Sequence, residues 1–172
     1  MVLPPGKPNG VAKFQFSSET HQMLYLDDIH VGMKRSFGGY AVTREEVLAF
    51  AQKYDPQPFH LSDEAAAETH FGRLAASGWH TCAMTMAMFV EHMKARPQAS
   101  LGAAGVDELR WLKPVYPGDV LRCESEVLEV RPSQSRPEMG SVRNSMTTFN
   151  QKDEPVLRFT ALALMRRRQP AS

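Results

Sequence analysis

The stretch from Ser77 to Lys94 limits the possible folds of this chain more than any other. Trp79, Cys82, Ala83, Met86, Phe89, Val90 and Met93 recur at helical spacing, and Met84, Ala87 and Met88 fill much of the remaining surface. Ser77 supplies an N-cap. A helix that is apolar nearly all round is stable in water only when other elements wrap most of its sides. Its apolar run, Ala83 to Val90 with Thr85 inside it, is too short to span a bilayer. The rest of the chain must therefore provide the wrapping layer.

Four segments beyond Gly105 read as strands: Val106 to Val115, Val120 to Val130, Gly140 to Asn150 and Pro155 to Arg167. Their joints are Tyr116-Pro117-Gly118-Asp119, the Pro132 to Pro137 segment, and Gln151-Lys152-Asp153-Glu154. The last strand is apolar on both faces, which predicts a place in the sheet interior. Upstream, Lys34 to Val42 reads as one more strand, weakened by Gly38-Gly39. Thr43-Arg44-Glu45-Glu46 is a capping box, with Glu46 placed to reach back to the cap. The helix it opens carries Val47, Leu48, Phe50 and Ala51 on one face and must stop before Pro56. Ser62 caps a short helix through Ala65-Ala66-Ala67, which Gly72 ends. One strand, then helices, then an antiparallel meander predict an α+β domain, with a curved antiparallel sheet wrapped around a long central helix. Two such sheets joined edge to edge would hide an edge strand, so a homodimer or a higher oligomer is expected.

A length of 172 residues suits a single core. The domain is expected over 25–168, with an irregular arm at 1–24, punctuated by Pro4, Pro5, Gly6, Pro8, Asn9 and Gly10, and a tail at 169–172. The formal net charge of +1 argues against nucleic acid or an anionic membrane as the main partner. Arg166-Arg167-Arg168, the one basic run, reads as a solvated tail. Cys82 and Cys123 form no CxxC pair and read as buried free thiols of a reducing compartment. Met1 to Gly10 has no apolar signal region, so a cytoplasmic protein is expected.

The chemistry is concentrated in Tyr54-Asp55-Pro56-Gln57-Pro58-Phe59-His60. A carboxylate and an imidazole stand five residues apart on a loop whose two prolines lower the entropy cost of holding both. Such a pair can share one water or one substrate proton, and histidine titrates near neutral pH. From these residues alone two plainer readings stay open, Asp55 as a turn former before a proline and His60 as a packed side chain. Ala76-Ser77-Gly78 is the second element. A helix N-terminus offers unpaired N–H groups, and a glycine there lets a ligand approach the backbone closely. The Gly78 N–H is thus a candidate donor to a thioester carbonyl, and an ordinary cap is the plainer alternative.

Together these residues resemble the signature of the MaoC-like family, which includes the (R)-specific enoyl-CoA hydratases. That signature is roughly Asp-x-Asn-Pro-x-His-x-Asp, then alanines and Phe-Gly, then Ala-His-Gly opening the central helix. Here it reads Asp55-Pro56-Gln57-Pro58-Phe59-His60-Leu61-Ser62, Ala65-Ala66-Ala67, Phe71-Gly72 and Ala76-Ser77-Gly78. Arg110-Trp111-Leu112-Lys113-Pro114-Val115-Tyr116-Pro117-Gly118-Asp119-Val120-Leu121 is similar to the family's strand–turn–strand after that helix. Gln57 stands where the family has Asn, Ser62 where it has Asp, and Ser77 where it has His.

The resemblance covers about 25–168 and implies a hot-dog fold, a dimer as minimal unit, and an acyl thioester of CoA or a carrier protein as substrate. It implies Asp55 and His60 as the catalytic pair for reversible hydration of a 2-enoyl thioester, a reaction of fatty acid metabolism. Gly78, with Ser77, Gln57 and Pro58 beside it, is the expected substrate-binding set. No cofactor or metal is expected, since His70, His80 and His92 are scattered without ligand spacing. Two other outcomes remain in view: a thioesterase in which Asp55 directs water at the carbonyl, and an acyl-thioester binding protein without turnover. His80, in the first turns of the central helix, is expected to be packed or capping, with contact to substrate as the alternative, and Trp79 and Trp111 to lie in the core or at a dimer contact.

Overall fold

The computed structural model describes residues 22–168. The arm expected at 1–24, apart from 22–24, and the tail at 169–172 lie outside the described residues. Five antiparallel strands form one sheet: β1 (Lys34–Ala41), β2 (Ser100–Trp111), β3 (Val120–Pro132), β4 (Met139–Phe149) and β5 (Pro155–Arg166). Three helices, α1 (Arg44–Tyr54), α2 (Asp63–Ala67) and α3 (Gly78–Ala95), lie between β1 and β2 in the chain. An antiparallel sheet around one long helix is the hot-dog arrangement, and the fold is α+β as the pattern predicts.

The strand order is β1-β3-β4-β5-β2. The expected four-strand meander holds for β3, β4 and β5 only. After α3 the chain re-enters the sheet at the far edge, so β2 pairs with β5 and leaves β1 to pair with β3. β5 is interior, as its two apolar faces require. β2 also begins earlier than predicted, because Leu101-Gly102-Ala103-Ala104-Gly105 has the composition that strands usually avoid. It ends at Trp111 rather than Val115, just before Pro114, which has no N–H for the ladder. Register breaks interrupt β2 three times, and at one of them Glu108 takes a left-handed φ of 53°. Almost every residue of this edge strand is exposed.

One side of α3 makes the core. Met84 and Met88 pack with Leu121, Cys123, Met146 and Leu157 of the sheet, and with Val47 of α1. Thr85 and Thr148 are buried in the same layer, their hydroxyls 2.8 Å apart. The Thr85 hydroxyl donates to the Thr81 carbonyl at 2.9 Å, so Thr148 supplies the hydrogen between them and neither polar group is left unsatisfied. The other side of α3 is bare: Trp79 is 59% exposed, Met86 54% and Val90 42%. Within one chain the sheet therefore wraps the helix on one side, not on most sides.

Local signals place the other helices. Thr43 caps α1 by accepting from the Glu46 N–H at 3.2 Å. The Glu46 carboxylate does not return to the Thr43 backbone; it accepts from the hydroxyls of Thr43 and Tyr40. Ser62 caps α2 through the Ala65 N–H at 3.1 Å. α2 stops at Ala67, and Gly72 makes a separate left-handed turn (φ 70°) further on rather than ending the helix. The arginine run is not a free tail. Arg167 binds Asp27 with two nitrogens, and Arg168 binds Asp28 while covering the Tyr25 ring. Carboxylates at 27 and 28 had no visible partner in the sequence because they lie at its opposite end.

Candidate active site

Pro56 forces α1 to stop at Asp55, whose φ of −150° and ψ of 66° turn the chain out of the helix. Pro58 then opens a single 3-10 turn, Pro58–His60, held by the His60 N–H on the Gln57 carbonyl at 2.9 Å. This short stiff path brings the two side chains face to face, with His60 Nε2 3.6 Å from Asp55 Oδ2. His60 is buried beside Phe59 and Phe71.

The remaining atoms of the pair are already committed. His60 Nδ1 lies 2.8 Å from the Ala75 carbonyl oxygen. A carbonyl only accepts, so Nδ1 carries a hydrogen, and neutral His60 presents a bare Nε2 to Asp55. Gln57 donates to Asp55 Oδ1 at 2.7 Å, and the Ser77 hydroxyl donates to Oδ2 at 2.7 Å. Burial pushes the Asp55 carboxyl up, but the Ser77 and Gln57 hydrogen bonds and the neighbouring His60 outweigh it and hold it below the ordinary carboxylate value.

The segment that enters α3 is buried from Leu74 to Ser77. It is pinned by the Leu74 N–H on Asp63 Oδ1 at 2.9 Å and by the Ala76 N–H on the Val115 carbonyl at 2.8 Å. Asp63, in the first turn of α2, thus ties that helix to this segment and also pairs with Arg44 at 2.8 Å. Ser77 caps α3 by accepting from the Trp79 N–H at 3.2 Å. The Gly78 N–H has no acceptor among the described residues.

Asp55, His60 and Gly78 share a cleft of about 430 Å³. Phe71, Ala76, Trp111 and Val115 give it apolar walls. Ser77 and Gln57 do not line the cleft but hold Asp55 from behind, and Pro58 is exposed and outside it. Glycine at 78 answers a neighbour rather than open space: a Cβ there would lie 2.5 Å from Cε2 of Trp111.

Among the lining residues that sequence reasoning did not place at the site are the polar side chains of Thr81, His70 and Lys113. Thr81 carried a usable signal, since it lies three residues after Gly78 on the same helix face. His70 and Lys113 carried none; they arrive by the fold, and Lys113 is paired with Glu154 at 2.6 Å. Trp79 and Trp111 are half-exposed cleft residues with their rings edge to face at 5.2 Å. His80 is packed away from the cleft, stacked on Phe50 at 4.6 Å. Among the described residues no group of three or more His, Cys, Asp or Glu converges as a metal site, and no helix is long and apolar enough to cross a membrane.

A hot-dog sheet thus carries a carboxylate–imidazole pair just before its central helix, beside an unpaired N–H at that helix's start. The chain belongs to the MaoC-like family: the model of the MaoC like domain matches residues 28–150, more than half of it. A MaoC-like dehydratase from Rhodospirillum rubrum is 42% identical, superposes with a TM-score of 0.77, and is covered over 99% of its length by 86% of this chain. The (R)-hydratase PhaJ1 of Pseudomonas aeruginosa is 26% identical with a TM-score of 0.64, over 87% of this chain and 96% of that one. A 3-hydroxybutyryl-CoA dehydratase of Methylorubrum extorquens is 28% identical over 152 residues, 87% of this chain and 89% of the relative.

Proposed function

We propose that the protein reversibly hydrates a 2-enoyl thioester to the 3-hydroxyacyl thioester, with Asp55 and His60 as its acid/base pair. The observation that carries this reading is the way Asp55 Oδ2 and His60 Nε2 face each other at 3.6 Å. When His60 is neutral both are acceptors, and a molecule that brings hydrogens belongs beside them. A water placed there donates one hydrogen to each and turns a lone pair toward the cleft. Its oxygen bonds to C3 of the enoyl group as one proton passes to the pair. The C2=C3 electrons move onto the thioester carbonyl, and the enolate is quenched by a proton returned to C2. The Gly78 N–H, at the positive end of α3, is the donor proposed for the carbonyl oxygen as it gains charge. The elements of water are added with no net change of oxidation level, so the step calls for no redox group. A dehydratase and a hydratase among the similar proteins support this class of reaction.

A second copy of the chain is the proposed partner. β2 ends the sheet with unpaired backbone groups, and its last residue, Trp111, meets Trp79 of α3, whose exposed side also carries Met86 and Val90. Free thiols at Cys82 and Cys123 fit a cytoplasmic setting.

The test is the loss of enoyl absorbance with crotonyl-CoA and with longer and branched analogues. Wild type should consume at least one of them, while Asp55→Asn and His60→Gln fall by orders of magnitude and keep their fold. Release of free thiol from saturated acyl-CoA with no hydration would replace this reading by a thioesterase. Saturable CoA-ester binding without either reaction would replace it by a binding protein.

A further inference from the structure

We propose that Ser77 is a positioning residue for this hydration, its hydroxyl confined to one donor direction that fixes the Asp55 oxygen facing His60. The proposal rests on the Asp55–His60 reading above. Its geometry is over-determined. The Ser77 Oγ accepts from the Trp79 N–H at 3.2 Å, a donor that α3 holds in place. A serine hydroxyl has one hydrogen, and Asp55 Oδ2 lies 2.7 Å from Oγ. Ser77 is 1% exposed, so solvent offers the hydroxyl no rival partner. The Ser77 carbonyl is tied as well, accepting from the Thr81 N–H at 3.0 Å.

One side chain therefore registers two halves of the site. It caps the helix whose first N–H is proposed to bind the carbonyl, and it holds the carboxylate proposed to orient the water. Gln57 cannot substitute for it, because Gln57 binds the other oxygen, Oδ1, and is itself exposed. Without the hydroxyl, Oδ2 would keep its burial and lose its donor. The carboxylate would then be free to rotate, and the balance that keeps the carboxyl low would tilt toward burial.

Three variants separate positioning from capping. Ser77→Ala removes the hydroxyl and the cap. Ser77→Gly removes the hydroxyl but leaves a good cap residue. Ser77→Thr keeps both. The readouts are kcat and KM for hydration, thermal stability, and the titration of the Asp55 carboxyl followed by NMR without substrate. Loss of a hydrogen bond to a charged group predicts a fall in kcat of about ten- to hundredfold in the Ala and Gly variants, with KM little changed. The Asp55 carboxyl should titrate at higher pH in those two and as in wild type in Ser77→Thr. An Asp55 titration unchanged in both Ala and Gly variants would overturn the proposal. So would activity that follows thermal stability instead of the hydroxyl. The titration needs no turnover, so an inactive wild type would sink the hydration reading while this relation is still tested.

Discussion

The indole of Trp111 lies directly over Gly78, close enough that an added Cβ would stand 2.5 Å from Cε2 and 2.6 Å from Nε1. The edge strand β2 thus reaches across the start of the central helix and forms one wall of the cleft. Gly78→Ala should drive the indole outward, with a loss of about 1–3 kcal/mol of stability. Trp111→Ala in the same chain should recover part of that loss, because the clash has a single cause. A double-mutant cycle by denaturation, with tryptophan emission as a monitor of the indole, measures this coupling. Strictly additive losses would mean that the alanine acts elsewhere.

His80 gives the chain a pH dependence away from the acid/base pair. It is buried against Phe50, and its Nδ1 has no hydrogen-bond partner among the described residues. Burial lowers its pKa below the ordinary 6.5, with Glu46 opposing only in part. The folded state therefore stays unprotonated in a window where the unfolded state already binds a proton. Stability is present above 6.5 and falls as pH drops through that value toward the lower folded pKa. His92 adds to the same slope, lowered by burial and by the charges of Arg35 and Arg96. His80→Phe, which keeps an aromatic ring on Phe50, should give a shallower loss in urea denaturation series run below neutral pH. Superimposable slopes for variant and wild type would rule His80 out as the source.

If the bare face of α3 and the edge of β2 are covered by a second copy, charge on that edge should separate the pair. Val106 is 50% exposed in the middle of β2. Val106→Lys should convert a dimer into a monomer in sedimentation velocity, while Val106→Thr leaves it assembled. A wild-type chain that sediments as a monomer at every concentration removes the partner copy from the picture.

What the sequence made legible was whatever depends on neighbours along the chain. The caps at Thr43, Ser62 and Ser77, the stop before Pro56 and the length of α3 follow from local chemistry, and each stands where expected. The approach of Asp55 and His60 to each other was legible for the same reason, since two prolines hold them within one short loop. What depends on distant contacts was not legible. β2 pairs with β5 across the sheet, and its Gly-Ala start gave little sign of a strand. Ser77 and Gln57 read as substrate contacts, because nothing local shows that both hydroxyl and amide point at Asp55. Trp111 meets Gly78 only after the whole of α3 has been folded back on the sheet.

The clasp of Arg167 and Arg168 on Asp27 and Asp28 brings the two ends of the described domain side by side, with Arg167 Nη2 2.9 Å from Asp27 Oδ1. Chain order is then a matter of where the loop is cut. A circular permutant that joins Arg168 to Tyr25 through a short glycine–serine bridge, with new termini opened at the exposed loop 134–136, should fold with the same helix and sheet. Circular dichroism and enoyl consumption of that rearranged chain, set beside the parent, would show whether the fold depends on the order in which its elements are made.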